Sequence, residues 1–321
     1  MLAHKTLPGT TISVSPICLG AGNLGSSIPQ ADAFALLDLF VEQGGNFLDT
    51  AHVYANWMPD LPRSISEKTL GAWMQARKNR EQIVIGTKGA HPDLATMHIA
   101  RVTPEAITQD LHESLQHLQT DYIDLYWLHR DDPTQPVAAI LTTLETHRQA
   151  GKVRAYGCSN WSTARMEEAW RYAAAQQIQG FVANQPMWSL AHPNPAAFGM
   201  PGLAAMDGAM LDFHRHSGWA VIPYTAQARG VFTKLATVGE AGLKPGERKA
   251  YQNATNLQRF AHAQELATQH GVTITQVVLS YLLSQPVPTI PVVGCRTPEQ
   301  LAATLQAATV HLTQEELTYL L

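Results

Sequence analysis

Residues 45–54 read Gly-Asn-Phe-Leu-Asp-Thr-Ala-His-Val-Tyr, and three later stretches repeat the same design. They are Val-Ile-Gly-Thr-Lys-Gly (84–89), Tyr-Ile-Asp-Leu-Tyr-Trp-Leu-His-Arg (122–130) and Tyr-Gly-Cys-Ser-Asn (156–160). Each begins with an apolar, strand-like run and ends in polar side chains, and helix-like sequence separates one from the next. Because parallel strands joined by helices gather their carboxyl ends at one face, we expect one active site at one end of a parallel barrel.

Strand and helix signals alternate along the whole chain, and eight strands are the count of a closed (β/α)8 TIM barrel. A β-hairpin is predicted before them, over residues 5–14, around a Pro-Gly-Thr turn. Ser64 or Ser66 is predicted to cap the second helix, and Thr103 the third. The predicted strands are 16–22, 46–49, 82–87, 122–128, 153–158, 181–184, 219–223 and 289–293, and helices are predicted over 31–43, 66–77, 104–118, 137–150 and 162–177.

Two connections are too long to be simple turns. Residues 186–203 follow the sixth strand, and residues 225–252 follow the seventh. Long loops inside a compact domain are usually functional or disordered, so we interpret both as covers for substrate or cofactor. No linker or low-complexity tract interrupts the alternation, and residues 1–321 are therefore predicted to form a single barrel domain.

The composition is that of an ordinary globular protein, with 45% hydrophobic and 15% charged residues. A net charge of −4 offers no basic field to nucleic acid or to an anionic membrane surface. The chain has no run of about 18 apolar residues and no signal-peptide core. The three cysteines form no zinc motif, and Cys18 and Cys158 are predicted to be buried as small apolar side chains. We expect a cytoplasmic protein that binds a small molecule.

Four side chains at or just beyond strand ends can move or steer a proton: Asp49, Tyr54, Lys88 and His129. A tyrosine has a pKa near ~10, so it is a poor acid at neutral pH unless a neighbouring ammonium group makes it more acidic. Lys88 can supply that ammonium, and Asp49 can keep it charged when buried. A neutral His129 could orient a carbonyl oxygen. Each residue alone could be structural, and only their occurrence together on successive strand ends favours catalysis.

These stretches resemble the aldo-keto reductases, and the resemblance runs from the hairpin to residues 291–301. The family pattern Gly-x-Asn-x-x-Asp-Thr-Ala-x-x-Tyr is matched by Gly44, Asn46, Asp49, Thr50, Ala51 and Tyr54. The resemblance implies an NADPH-dependent oxidoreductase that reduces aldehydes or ketones to alcohols. It also implies that Tyr54 is the proton donor, that Lys88 and Asp49 tune it, and that His129 orients the carbonyl.

The resemblance further implies a nicotinamide cofactor bound without a Gly-rich Rossmann turn. The Gly-x-Gly-x-x-Gly spacing at 20–25 opens no helix and is interpreted as the loop after the first strand. Arg296 could hold a 2′-phosphate in its planar fork, which favours NADPH over NADH. Ala303 and Thr304 replace a Glu-Asn pair of the family, so the cofactor preference stays open. The implied cofactor residues are Ser159, Asn160, Gln185 and Tyr224 at the nicotinamide, Gln227, Arg229 and Gly230 at the pyrophosphate, and Gly294, Arg296 and Gln300 at the adenosine.

Large apolar side chains beyond the strand ends are predicted to line the substrate pocket, and they are Trp57, Trp161, Trp188, Phe198 and Met200. Asn160 could instead be a simple helix cap.

Two other functions stay open. A nucleotide-binding sensor or channel-type auxiliary subunit would use the same cofactor residues with little turnover. A metal-dependent hydrolase would need a ligand cluster, and the first strand carries no His-x-His pair that would suggest a metal site. The presence of all four catalytic side chains favours the enzyme.

Overall fold

The computed structural model describes residues 2–194 and 202–321. A small hairpin opens the chain, with β1 (Lys5–Thr6) antiparallel to β2 (Ser13–Val14). The Leu7 amide donates to the Ile12 carbonyl oxygen at 2.9 Å and holds the base of the turn. The predicted hairpin is therefore confirmed.

Eight parallel strands form the wall of the barrel, and each pairs with the next along the chain, with β10 beside β3. In the register, Asp49 lies opposite Gly86, and Lys88 lies opposite Trp127. The strands are β3 (Cys18–Gly20), β4 (Phe47–Asp49), β5 (Val84–Gly89), β6 (Ile123–Leu128), β7 (Val153–Ser159), β8 (Ala183–Gln185), β9 (Ala220–Val221) and β10 (Val292–Val293).

Backbone hydrogen bonds between the seventh and eighth barrel strands close the cylinder. The amide of Ile290 donates to the oxygen of Val221, and the amide of Val292 donates to the oxygen of Pro223, both at 2.9 Å. These contacts lie at the ends of β9 and β10, so both regular strands are shorter than predicted while the pairing extends beyond them. The (β/α)8 barrel inferred from the sequence is confirmed.

Helices follow the strands and cover the barrel. The predicted Thr103 cap is confirmed, because its side chain accepts a hydrogen bond from the Ala106 amide. The predicted serine cap of the second helix is wrong. Ser64 donates its hydroxyl to the His52 oxygen at 2.6 Å, and Ser66 donates to the Ala21 oxygen at 2.7 Å, because both side chains are buried against loop carbonyls. The helices are α1 (Gln30–Glu42), α2 (Ile65–Arg77), α3 (Pro104–Leu118), α4 (Val137–Gln149), α5 (Thr163–Gln176), α6 (Gly208–Ser217), α7 (Val231–Val238), α8 (Pro245–Tyr251), α9 (Ala254–His270), α10 (Ile274–Leu283), α11 (Pro298–Leu305) and α12 (Gln314–Tyr319).

Apolar side chains fill the barrel interior and the space between the strands and the helices as two separate clusters. The inner cluster includes Leu7, Ile12 and Val14 of the hairpin, packed with strand residues such as Phe47 and Trp127. The hairpin therefore closes the amino end of the barrel, and only the carboxyl end is left to carry a site. Both cysteines predicted to be buried are fully buried.

Candidate active site

Lys88 is the centre of a buried hydrogen-bonded group at the carboxyl end of the barrel. Its ammonium donates to Asp49 Oδ2 at 2.5 Å, to the Thr50 oxygen at 2.8 Å and to the Tyr54 hydroxyl oxygen at 2.9 Å. The side chains of Lys88 and Asp49 are only 1% and 3% exposed. The pairing of β4 with β5 sets Asp49 beside the strand that carries Lys88, so the structure brings Lys88 next to Asp49 and Tyr54, which lie more than 30 residues earlier in the chain.

The ionisation of this group follows from burial and charge together. Burial alone would lower the pKa of Lys88, but Asp49 and Tyr54 raise it above its ordinary value, so the ammonium stays charged. Burial raises the pKa of Tyr54 and outweighs the lowering effect of Lys88. The expectation that Lys88 makes the Tyr54 phenol more acidic than usual is therefore wrong, because the net shift of the Tyr54 pKa is upward. Tyr54 holds its proton at neutral pH, and Lys88 stabilises the phenolate once that proton has left.

Gln185, at the end of β8, ties the lysine group to the opposite side of the barrel. Its side-chain amide donates to the second oxygen of the Asp49 carboxylate at 2.9 Å. Both residues are buried. Asp49 is therefore held from two sides, by Lys88 and by Gln185, and its orientation depends on the closed barrel rather than on its own strand.

The His129 ring stands next to the phenol, with ring centroids of His129 and Tyr54 5.9 Å apart and nearly perpendicular at 80°. Burial lowers the pKa of His129 well below its ordinary value, and His91, Lys88 and Arg130 lower it further. The imidazole is therefore neutral. Its Nδ1 atom is buried with no hydrogen-bond partner among the described residues. The His91 ring lies against it, at a centroid distance of 4.7 Å.

Asn160 organises the polar side chains at the ends of β7 and β8. Its Oδ1 accepts hydrogen bonds from the Tyr224 hydroxyl at 2.8 Å and from the Ala204 amide at 3.2 Å, and its amide group donates to Ser159 Oγ at 3.1 Å. Its backbone is left-handed, with φ of 61°. The cap of α5 is Ser162, whose side chain accepts from the Arg165 amide. Asn160 is therefore not that cap.

Ser159 completes this polar group, since its hydroxyl donates to the backbone oxygen of Gln185 at 2.8 Å. Through Gln185 the group reaches the Asp49 carboxylate. The four residues implied at the nicotinamide, Ser159, Asn160, Gln185 and Tyr224, thus lie together and adjoin the lysine group.

The segment implied at the pyrophosphate has an unusual backbone. Ala228, Arg229 and Gly230 are all left-handed, with φ of 48°, 56° and 75°, and α7 begins at the next residue. Gln227 precedes them, and its backbone oxygen accepts from the Gly230 amide at 2.7 Å. Non-glycine residues held in this region of φ mark sites where the surroundings impose the conformation.

The residues implied at the adenosine lie around the start of α11, just after β10. Gly294, Arg296 and Gln300 are exposed, and the Arg296 amide donates to Gln300 Oε1 at 2.9 Å. Thr304 is buried, with its hydroxyl 3.7 Å from the sulfur of Cys295. The Thr304 side chain therefore packs inward and presents no group at the surface.

The tryptophans predicted at the substrate pocket occupy three different environments. Trp57 is 58% exposed on the loop after β4. Trp188 is 8% exposed, with its ring edge-on to Tyr281. Trp161 is fully buried, so its assignment to the pocket is wrong. Its ring packs edge-on to Phe181 at 5.0 Å and its indole N–H bonds to a backbone oxygen, so the core buries a large apolar surface with its donor satisfied. Phe198 and Met200 lie outside the described residues.

Two buried residues near the site were not identified from the sequence, His91 and Arg130. His91 lies two residues after β5, the strand that carries Lys88, and Arg130 directly follows His129 after the end of β6, so their positions just beyond strand ends were the available signal. Within residues 2–194 and 202–321, no group of three or more His, Cys, Asp or Glu side chains is placed to hold a metal ion. In the same part of the chain, no helix has the length and apolar character needed to cross a membrane.

A barrel of eight parallel strands with a lysine, tyrosine, aspartate and histidine at its carboxyl end defines a class of oxidoreductases. The sequence model of the Aldo/keto reductase family matches residues 16–320, and the chain belongs to that family. It is therefore an NAD(P)H-dependent oxidoreductase that acts on carbonyl groups.

Similarity to named proteins extends over almost the entire chain. Norsolorinic acid reductase stcV of Emericella nidulans is 31% identical over 98% of this chain and 79% of its own length. The uncharacterized oxidoreductase YrpG of Bacillus subtilis is 29% identical over 99% of this chain and 95% of its own length. Aryl-alcohol dehydrogenase [NADP(+)] of Phanerodontia chrysosporium is 29% identical over 99% of this chain and 84% of its own length.

Proposed function

We propose that this protein uses NADPH to reduce aldehydes and ketones to alcohols, reversibly, with Tyr54 as the general acid. One observation carries the proposal: the Tyr54 hydroxyl lies 2.9 Å from the charged Lys88 ammonium, beside the neutral ring of His129. A protonated phenol, a cation that stabilises its conjugate base and a neutral imidazole are the parts that protonation of a carbonyl oxygen requires.

The three side chains have separate tasks in this scheme. Tyr54 gives its proton to the carbonyl oxygen, and Lys88 stabilises the phenolate that remains, because the ammonium already donates to that oxygen. Asp49 keeps the ammonium charged and in place. His129 orients the carbonyl oxygen as a neutral hydrogen-bonding group, since its lowered pKa keeps it uncharged. When bound, the nicotinamide cofactor supplies the hydride that reaches the carbonyl carbon.

The polar groups beside the lysine group suit a nicotinamide. A carboxamide both donates and accepts hydrogen bonds, and Ser159, Asn160 and Gln185 supply hydroxyl and amide groups that do the same. Tyr224 would lie against the ring. The left-handed turn at Ala228, Arg229 and Gly230, which follows Gln227, precedes a helix, and backbone amides in such turns bind anions, which supports this segment as the pyrophosphate site.

NADPH is proposed over NADH because of Arg296. Its side chain is exposed at the start of α11, together with Gly294 and Gln300, where an incoming phosphate could reach it. A guanidinium pairs with phosphate through two parallel hydrogen bonds. The name of the relative from Phanerodontia chrysosporium, an aryl-alcohol dehydrogenase [NADP(+)], agrees with this choice.

We propose aromatic aldehydes and ketones as substrates, with Trp57 and Trp188 as the apolar walls of the pocket. Trp57 stands exposed three residues after the proposed acid, where an aromatic ring could stack on it.

We also propose that residues 1–321 form one domain, because strands from both ends of the chain close the same barrel. The three cysteines are free and buried, which agrees with the predicted cytoplasmic location.

The test is NADPH oxidation with a panel of aromatic aldehydes, comparing the wild type with Tyr54→Phe. We expect turnover to fall at least ~10²-fold, the usual scale for loss of a general acid, while NADPH binding is retained. Tyr172→Phe is the matched control, because Tyr172 lies on α5 and should tolerate the same change. Turnover by Tyr54→Phe close to that of the wild type would reject Tyr54 as the acid.

A further inference from the structure

Arg130 is a buried cation that follows His129 directly in the chain. Its side chain is 8% exposed, although arginine usually lies at the surface. Its guanidinium Nη1 donates to the backbone oxygen of Gly202 at 3.1 Å, and its backbone oxygen accepts from the indole N–H of Trp161 at 3.2 Å. These contacts turn the guanidinium toward the loop after β8 and away from the bulk solvent.

The loop after β8 that contacts Arg130 also contacts the polar group around Asn160. Two residues after Gly202, the Ala204 amide donates to Asn160 Oδ1 at 3.2 Å, and the same oxygen accepts from the Tyr224 hydroxyl at 2.8 Å. Arg130 is therefore adjacent to His129 in the chain and is hydrogen-bonded to the same loop that contacts the Asn160 group.

Electrostatic effects agree with this position. Burial lowers the pKa of Arg130, while the hydroxyls of Tyr224 and Tyr54 act in the opposite direction. Arg130 in turn lowers the pKa of His129 and of His91. The guanidinium therefore lies within electrostatic range of Tyr54, of His129 and of His91. Arginine remains charged under these conditions.

A charge in this position selects among substrates. The attraction between opposite charges grows as the surrounding dielectric falls, so a guanidinium shielded from water binds an anion more strongly than an exposed one. Its planar fork matches the two oxygens of a carboxylate. An anionic group on the substrate would meet this cation while the carbonyl lies between Tyr54 and His129.

We propose that Arg130 is a specificity-determining residue, which holds a carboxylate of the substrate so that the protein prefers carbonyl compounds carrying a carboxylate. This inference rests on the proposed function and narrows its substrate class. The structural alternative is that Arg130 only fastens the Gly202 segment, and in that case its loss would affect charged and neutral substrates equally.

The first experiment compares two aldehydes of the same shape near the reacting carbon, 4-carboxybenzaldehyde and methyl 4-formylbenzoate. The wild type should have the higher kcat/KM for the carboxylate. In Arg130→Met, kcat/KM for the carboxylate should fall roughly 10- to 100-fold, the range for one charge-assisted hydrogen bond, mainly through KM. For the methyl ester, kcat/KM should fall several-fold less than for the carboxylate, because the ester carries no charge to pair with the guanidinium, and Arg130→Lys should restore part of the carboxylate loss because it keeps the positive charge.

Two results would overturn the inference. One is a wild type with no preference for the carboxylate, which needs no variant and is therefore independent of folding. The other is an equal loss for both aldehydes in Arg130→Met, which would indicate that the residue is structural.

A binding measurement separates this inference from the proposed function. Benzoate and benzamide are titrated by calorimetry into the wild type and into Arg130→Lys, each in the presence of NADP+. Benzoate should bind at least about 10-fold more tightly than benzamide to the wild type, with a smaller ratio in the variant. Selective benzoate binding without turnover of either aldehyde would reject the proposed function and keep the carboxylate site. Turnover without selective benzoate binding would reject the site and keep the function.

Discussion

Lys88 and Asp49 form an ion pair buried from water, so replacing both residues should cost less stability than the sum of the two single replacements. Methionine has nearly the length of lysine and no charge. In Lys88→Met, the Asp49 carboxylate would lose its 2.5 Å partner and keep the hydrogen bond from Gln185. A carboxylate buried to this degree without a cation is costly, because neither water nor an opposite charge compensates it.

The magnitude follows from that uncompensated charge. Removing one partner of a buried pair costs about 3–5 kcal/mol, a large share of a total stability of roughly 5–15 kcal/mol. In the double variant Lys88→Met/Asp49→Asn no charge remains, so its loss should be clearly smaller than the sum of the two single losses. Since the two side chains touch, we expect a coupling energy of roughly 1–3 kcal/mol.

Urea unfolding followed by tryptophan fluorescence measures these free energies, and the chain has seven tryptophans to report the transition. Lys249→Met is the matched control, because Lys249 is exposed on α8 and its replacement should cost less than about 0.5 kcal/mol. If the losses of Lys88→Met and Asp49→Asn simply add in the double variant, the ion pair contributes no coupling and the reasoning fails.

Three further outcomes are expected. Arg296→Ala should weaken NADPH at least ~10-fold while leaving NADH nearly unchanged, as a lost phosphate contact requires, and fluorescence titration showing equal weakening would remove the case for 2′-phosphate recognition. Burial lowers the pKa of His214 from 6.5 to about 4. The unfolded chain binds this proton near pH ~6.5, whereas the folded chain binds it only near pH 4. The contribution of His214 to the free energy of unfolding is therefore complete above pH ~6.5 and decreases by roughly 3 kcal/mol as the pH falls to about 4. Urea unfolding at several pH values should show this slope in the wild type and a shallower one in His214→Asn; identical slopes would contradict it. In Gly157→Ala the added Cβ would lie 2.5 Å from the Trp127 ring, so we expect a loss of about 1–3 kcal/mol, whereas Gly208→Ala has open space and should show none; equal thermal stability of the two variants would refute the clash.

Strand positions and polar residues at strand ends depend on the local sequence pattern, and the sequence predicted them well. The alternation of apolar runs and helical spacing located the barrel strands within a few residues, and polar side chains at strand ends pointed to Asp49, Tyr54, Lys88 and His129. Predictions that depended on whether a side chain points into the core or into the pocket were less accurate. Trp161 follows a strand end as Trp57 does, yet it turns into the core, because burying its large ring against Phe181 is favourable once its N–H is bonded.

The direction of the Tyr54 pKa shift is a second property that could not be predicted from the sequence, and here the cause is electrostatic. Residue types alone indicated that a lysine ammonium would make the phenol more acidic. How deeply the barrel buries the ring is a property of the whole fold, and burial raises its pKa more than Lys88 lowers it. Arg130 is a comparable case, since its sequence neighbours are charged and only the folded loop after β8 removes it from water.

By itself the amino-acid order determined a β/α repeat, the end of the barrel that would hold the site, and the reactive groups there, because periodicity and strand-end polarity are read along the chain. The tertiary structure alone decided that Gln185 would reach Asp49 across 136 positions, that His91 would lie against His129, and that Arg130 would be shielded. Those distances and the burial of these side chains arise only when eight strands close into one cylinder and bring residues from distant parts of the chain together.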